Sequence, residues 1–293
     1  MADTLIRGIF PEAGMRFAYC RATALCNEGM GRHHADLVSG WLLSEALVCA
    51  TLLSVNLKSD EKLTLRWIYP GPIGTILADL NEHGEVRGFP QRLTLAPQVH
   101  TQSAAIGGPG RISGVTSFPN RVGRTGITEA VFQDVPRDLA YFLSLSFQVE
   151  SALAVGLNLP PQEPATLRWA SGLLLQALPG ADLEAFDAVR RRVEQPDFRN
   201  WLEAEAPDME NTMAWLEIGE APQVHQEIEP AYRCYCSKAK VESVLRMLDP
   251  GDIQEMLEQD GMAKVDCHFC AHSYVFTRGD LISILDNIPV GRA

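Results

Sequence analysis

Tyr232-Arg233-Cys234-Tyr235-Cys236-Ser237 and, further on, Cys267-His268-Phe269-Cys270 are the two stretches that decide how this chain is read. A C-x-C pair and a C-x-x-C pair together offer four thiols from two short loops. One tetrahedral zinc ion requires this set, because a d10 cation with no geometric preference of its own takes four soft thiolates at about 2.3 Å. The residues between the pairs, Ser237 to Asp266, are long enough for a small helical insert that returns the second loop to the first. Cys234, Cys236, Cys267 and Cys270 are therefore the candidate ligands of a single zinc ion.

Two readings of such a site stay open. In one, the zinc is a permanent knuckle that only holds a small subdomain together. In the other, the metal is exchangeable for oxidised sulfur. Arg233, Lys238 and Lys240 flank the C-x-C pair and give it a locally positive setting that favours the ionised, oxidisable thiolate. Structural zinc contributes on the order of 10 to 16 kcal/mol to a small domain, so its ejection is expected to unfold the domain. Structural disulfides rank lower because nothing marks the chain as secreted. Ala271 after the second pair excludes a c-type haem, which needs His there. His268 and His272 rank below the cysteines as ligands.

The residues around these cysteines resemble the heat shock protein 33 family of redox-regulated holdase chaperones. The resemblance rests on Tyr232 to Ser237, the helical stretch Val241 to Leu257, Asp260-Gly261, and Cys267 to Cys270 with Tyr274 and Phe276. It continues upstream through Ala50 to Leu53, Gly71-Pro72, Val86-Arg87-Gly88, Tyr141-Phe142 with Ser146 and Gln148, and Ser171 to Gln176, and so covers nearly the whole chain. Three positions depart from the family pattern: Phe147 replaces a Glu, Ala239 replaces a Glu, and Pro70 replaces an acidic residue.

The resemblance implies an ATP-independent holdase that is off when reduced and zinc-bound. Hypochlorous acid, or peroxide with unfolding stress, would drive Cys234–Cys236 and Cys267–Cys270 disulfides, release zinc and loosen a linker. Unfolding client proteins would then be held until ATP-dependent foldases receive them, and the oxidised form would be a homodimer.

With 293 residues, two or three domains are expected. Charge separates them: residues 180–230 hold 13 carboxylates against 4 cations, whereas the chain as a whole has net charge −12. The expected organisation is an α+β domain over 1–179 with an antiparallel sheet and packed helices, an acidic helical linker over 180–230, and a small four-cysteine zinc domain over 231–293. An acidic chain without a basic tract is a poor match for nucleic acid or an anionic membrane. No charged n-region with an apolar run opens the chain, and no stretch comes near a spanning helix. A cytoplasmic protein is expected, in a compartment that keeps thiols reduced.

Along the chain, Leu37, Trp41, Val48, Leu52 and Val55 predict a buried helix over 34–57 with Asp36 as its cap. Alternation through Leu63, Leu65 and Trp67, the Pro70-Gly71-Pro72 turn and Ile73 to Leu80 predict an antiparallel meander. The glycine-rich region 107–126 lacks a phosphate-loop pattern and reads as a loop with strand edges. Asp134 and Pro136 open a helix, Leu153 to Leu159 alternate as a strand, and 168–178 reads as a strand or buried segment. In 180–230, apolar stripes led by Phe186, Trp201 and Met213 predict short amphipathic helices broken by Pro196 and Pro207. Such helices depend on a docking surface. They are either an ordinary subdomain or, as the resemblance favours, a metastable cover. Cys20, Cys26 and Cys49 read as buried and inert, and His33 and His34 as surface residues capping a helix. No Ser-His-Asp or paired-carboxylate arrangement nominates an enzyme. The rivals to the chaperone are a constitutive zinc-stabilised binding module and a thiol-disulfide oxidoreductase using Cys267 and Cys270. The latter lacks the βαβ pattern such motifs accompany.

Overall fold

The computed structural model describes residues 2–162 and 164–287. The chain forms two compact units, Met1–Arg233 and Cys234–Ala293. The first opens with a hairpin, β1 (Thr4–Phe10) and β2 (Met15–Arg21), followed by helices α1 (Thr23–His33) and α2 (Leu37–Ser54). The meander β3 (Lys62–Ile68), β4 (Thr75–Asn81) and β5 (Glu85–Pro90) comes next, then α3 (Gln102–Ile106) and a hairpin of β6 (Gly110–Phe118) and β7 (Arg121–Ala130). Helix α4 (Val135–Ser146), β8 (Ser151–Asn158) and β9 (Trp169–Ala177) precede three short helices, α5 (Leu183–Val193), α6 (Pro196–Glu205) and α7 (Met209–Trp215). β10 (Gln223–Ile228) and β11 (Ala231–Tyr232) close the unit.

The strands make two sheets, ordered β10-β1-β2-β9-β8 and β11-β5-β4-β3-β6-β7. All pairs are antiparallel except β11 with β5. Helix α2 lies between the sheets, against β4 and β5 on one side and β2, β8 and β9 on the other. Asp36 caps it by accepting from the Ser39 backbone N–H at 2.8 Å, as expected. Fifteen of its residues are buried, which is why its apolar residues surround the whole helix rather than one stripe. Here the sequence expectation needs correcting: by length and a mean hydropathy of 1.6, α2 is apolar enough to cross a membrane. It is instead the core helix of this unit.

Apart from its exposed edge strand β10, the five-stranded sheet is buried on both faces. On the α2 side it presents Ala18, Cys20, Leu153, Val155, Leu157 and Leu174. On the other side it presents Phe17, Tyr19, Ala152, Ala154, Leu173 and Leu175. Double burial explains why β8 and β9 are nearly continuous apolar runs; β8 ends at Asn158, so Leu159 lies beyond it.

Helices α5, α6 and α7 cover that second face with Phe186, Val189, Phe198, Leu202, Met213 and Leu216. Phe198 packs on Trp215 with ring centroids 4.6 Å apart. Glycines let helices approach the sheet from both sides. A Cβ on Gly156 would lie 2.5 Å from Leu202 Cβ, and one on Gly172 would lie 2.5 Å from Val48 Cγ1. Asp182 and Asp208 cap α5 and α7. Pro196 opens α6 at its first turn instead of breaking a helix.

Polar anchors fasten the cover. Tyr19 Oη donates to the Pro207 carbonyl at 2.6 Å. Arg199 of α6 binds Asp134, the α4 cap, at 2.7 Å, Glu203 at 3.0 Å, and Glu45 of α2 at 2.5 Å. Glu45 is only 3% exposed and also accepts from Trp41 Nε1. Burial pushes its carboxyl up to about 7 against the pull of Arg199.

Three further expectations change. The glycine-rich region is the β6–β7 hairpin, where residues such as Gly114 and Gly126 make room for Phe142 and Ser146. His33 is the buried last residue of α1, with its ring nitrogen 3.2 Å from the Gly88 carbonyl. The N-terminal hairpin, absent from the sequence reading, supplies two central strands of the five-stranded sheet.

Removing Arg199 leaves Glu45 buried without its counter-charge. Arg199→Ala is expected to destabilise the first unit by about 3–5 kcal/mol, whereas the apolar pair Glu45→Leu with Arg199→Met recovers most of the loss. Urea unfolding followed by tryptophan fluorescence checks both.

Candidate metal centre

The second unit contains α8 (Lys238–Leu245), α9 (Pro250–Gln259), a hairpin of β12 (Ala263–Asp266) and β13 (Ser273–Phe276), and α10 (Arg278–Asp286). The single helical stretch expected over 241–257 is two helices. Asp249 caps the second and Pro250 opens it. Among the described residues, seven buried side chains form the apolar core here, including Leu245, Ile253, Phe276 and Leu281, with five partly buried ones against them. A core of this size is too small to hold a unit of this length unaided.

The four cysteines are placed where they could supply a further constraint. Cys267 and Cys270 sit in the tight connection between β12 and β13. The Cys267 backbone N–H donates to the His272 carbonyl at 2.9 Å, and the Ala271 N–H returns to the Cys267 carbonyl at 2.8 Å. Ala271 takes a left-handed conformation, φ 55°, to close that turn. Cys234 and Cys236 lie on the extended approach to α8, whose cap is Ser237. All four sulfurs come within 4.8 Å of one another. Cys234 Sγ is 3.7 Å from Cys267 Sγ, and Cys236 Sγ is 3.4 Å from Cys270 Sγ. A tetrahedron with zinc–sulfur bonds of 2.3 Å has edges of about 3.8 Å, so the donor set fits a zinc ion in both chemistry and span.

Tyr274, on β13, was not expected among the functional residues. Its hydroxyl donates to Cys236 Sγ at 3.1 Å, the outer-shell contact that orients a ligating thiolate and tunes its charge. The signal in the sequence is weak, an aromatic residue four positions after Cys270. His272 stacks edge-on against Tyr274, with centroids 4.7 Å apart, and lies outside the group of four sulfurs.

Each of the cations flanking the C-x-C pair has a partner of its own. Arg233 binds Glu85 at 3.0 Å, Lys238 binds Asp280 at 2.9 Å, and Lys240 donates to the Tyr235 carbonyl at 2.7 Å. These cations are committed elsewhere. Burial, with the neighbouring thiols, pushes the Cys270 thiol up to about 12, and burial also raises Cys267. Four crowded sulfurs cannot all be thiolates without a cation among them. Cys20, Cys26 and Cys49 are fully buried in the first unit, with thiols pushed above their ordinary range by burial.

Comparison with known proteins agrees with this arrangement. The profile of the family described as Hsp33 protein matches residues 3–277. The 33 kDa chaperonin of Bacillus subtilis (strain 168) is 31% identical over 97% of this chain and 98% of its own. That of Listeria welshimeri serovar 6b is 31% identical over 96% of this chain and 97% of its own. In fold, the chain is similar to the crystal structure of the 33 kDa chaperonin (heat shock protein 33 homolog) of Thermotoga maritima, with a TM-score of 0.85 and 22% identity over 97% of this chain and 98% of that one.

Two outcomes test the site. Chelation is expected to collapse the amide dispersion of residues 234–287 in NMR spectra. Tyr274→Phe is expected to weaken zinc binding by roughly 10- to 100-fold in competition with a coloured chelator.

Proposed function

The chain belongs to the Hsp33 family of chaperones, and on that premise we propose that it is a redox-regulated, ATP-independent holdase. The convergence of four thiols within 4.8 Å carries the proposal. Cys234, Cys236, Cys267 and Cys270 hold one zinc ion in the reduced form, and bound there zinc supplies the positive charge that keeps all four sulfurs as thiolates.

Oxidation converts ligands into non-ligands. Each pair of thiolates gives up two electrons and becomes a disulfide, while hypochlorous acid takes them with a proton to leave chloride and water. The family resemblance assigns the bonds Cys234–Cys236 and Cys267–Cys270. The unit then keeps only its seven-residue core and unfolds. Chain connectivity carries the effect upstream through β11 and β10 to the cover. β10 is an edge strand with almost every residue exposed, and α5 to α7 are short helices that are marginal without their docking face. Their release exposes apolar residues on both surfaces, including Phe17, Leu173 and Leu175 of the sheet and Phe186, Phe198 and Leu202 of the helices. Unfolded clients would bind there, on a chain active as a homodimer in the cytoplasm, and pass to ATP-dependent foldases.

Treatment of the reduced, zinc-loaded protein with hypochlorous acid is expected to release one zinc per chain and to suppress light scattering by a heat-denatured client, both reversed by dithiothreitol. Zinc release without suppression would favour a constitutive zinc-stabilised module, and turnover of a disulfide substrate an oxidoreductase. Peptide mapping of the oxidised chain checks the assigned bonds. Phe198→Ala, which costs about 3–5 kcal/mol of packing, is expected to bind clients while zinc is still in place. Retention of zinc with no client binding in this variant would contradict the cover.

A further inference from the structure

Two adjoining cavities of about 300 and 270 Å³ open in the first unit where α2 ends against the five-stranded sheet. Arg16, Asn56 and Gln176 line both. The smaller also brings Lys58, from the loop after α2, and Arg124, from β7, to an apolar floor that includes Leu53, Leu63 and Phe147. In a chain of net charge −12, none of these three cations has a carboxylate within ion-pair distance among the described residues. Glu61, the one carboxylate in the lining, accepts instead from the Lys58 backbone N–H at 3.1 Å.

Arg16 is half-buried and Arg124 and Lys58 are exposed, and the fold orients the two arginines. Arg16 Nε donates to Gln176 Oε1 at 2.9 Å, and Asn56 Nδ2 donates to the same oxygen at 2.8 Å. Gln176 in turn donates to Ser151 Oγ at 2.9 Å. This relay fixes the guanidinium and leaves its outer nitrogens to the cavities it lines. Burial lowers the Arg16 pKa, the sign of a cation that lacks a counter-charge. Arg124 is set by a bulge, at which Gly123 and Arg124 of β7 oppose Thr116 alone. Its backbone N–H donates to Thr116 Oγ1 at 2.7 Å, and its guanidinium lies 5.3 Å over the Phe147 ring. Bulges of this kind re-aim side chains beside functional sites.

We propose that the smaller cavity binds a small amphiphilic anion, a carboxylate or phosphate monoester on an apolar body, with its head on Arg16, Lys58 and Arg124 and its body against Leu53, Leu63 and Phe147. Its volume lies just below the usual range for ligand cavities, about 300–1,000 Å³, which restricts the body to a short chain or a single ring. The site is independent of the zinc centre and of the redox reading.

Isothermal titration of the reduced, zinc-loaded full chain tests it, with octanoate, octyl phosphate, octan-1-ol and inorganic phosphate as probes. At least one of the two amphiphilic anions is expected to saturate a single site, and the tighter of them identifies the head group. Octan-1-ol and inorganic phosphate are expected to bind about tenfold more weakly or worse, and Arg16→Gln and Arg124→Gln to lose a similar factor. Circular dichroism checks that each variant is folded. If Arg16→Gln disturbs the sheet, Arg124→Gln decides alone. Equal binding of octan-1-ol, undiminished binding by the folded variants, or no saturation by either anion would overturn the proposal.

Discussion

Four sulfur atoms within 4.8 Å do for the second unit what a hydrophobic core does for the first. Among the described residues, seven buried side chains are a small core for three helices and a hairpin, and a clamp between the two cysteine loops would supply a constraint that this core lacks. The four thiols raise each other's cost of ionisation and need a cation to remain thiolates. In the proposed function, that mutual dependence would link metal, charge and fold, and an oxidant acting on sulfur would thereby act on structure.

The first unit carries a second dependence of the same kind. Its five-stranded sheet is apolar on both faces, and only one of them is covered by the long, deeply buried α2. The other relies on three helices of 7 to 11 residues, whose outward surface is rich in carboxylates and whose hold combines Phe198 and Leu202 with the Arg199 network. The covering helices thus belong to a cluster separate from the core between the sheets. The Arg199–Glu45 contact joins the cover to α2 at a carboxyl that is only 3% exposed.

The four-cysteine cluster was legible in the sequence because its spacing is local: two short loops carry the thiols, and the structure brings the same four within 4.8 Å of one another. The α+β class, the α2 and α4 caps at Asp36 and Asp134, and the short helices after residue 180 were legible for the same reason, since each is written in neighbouring residues. What was missed lies in contacts between distant positions. The pairing of β2 with β9 and the meeting of Glu45 with Arg199 leave no periodic trace. His33 looked like a surface residue because its partner, the Gly88 carbonyl, is far along the chain. The glycines of β6 and β7 suggested a loop because the side chains they accommodate, Phe142 and Ser146, come from α4. The partners of the lysines near Cys236, Asp280 for Lys238 and the Tyr235 carbonyl for Lys240, could not be assigned from the sequence.

Hydrogen–deuterium exchange of the full chain before and after oxidative zinc release tests most directly whether metal loss and cover release are one event. The account predicts that amides of 238–286 and of 183–215 lose protection together, while the buried strand β9 and helix α2 keep theirs. Full protection of 183–215 in protein that has lost its zinc would contradict it.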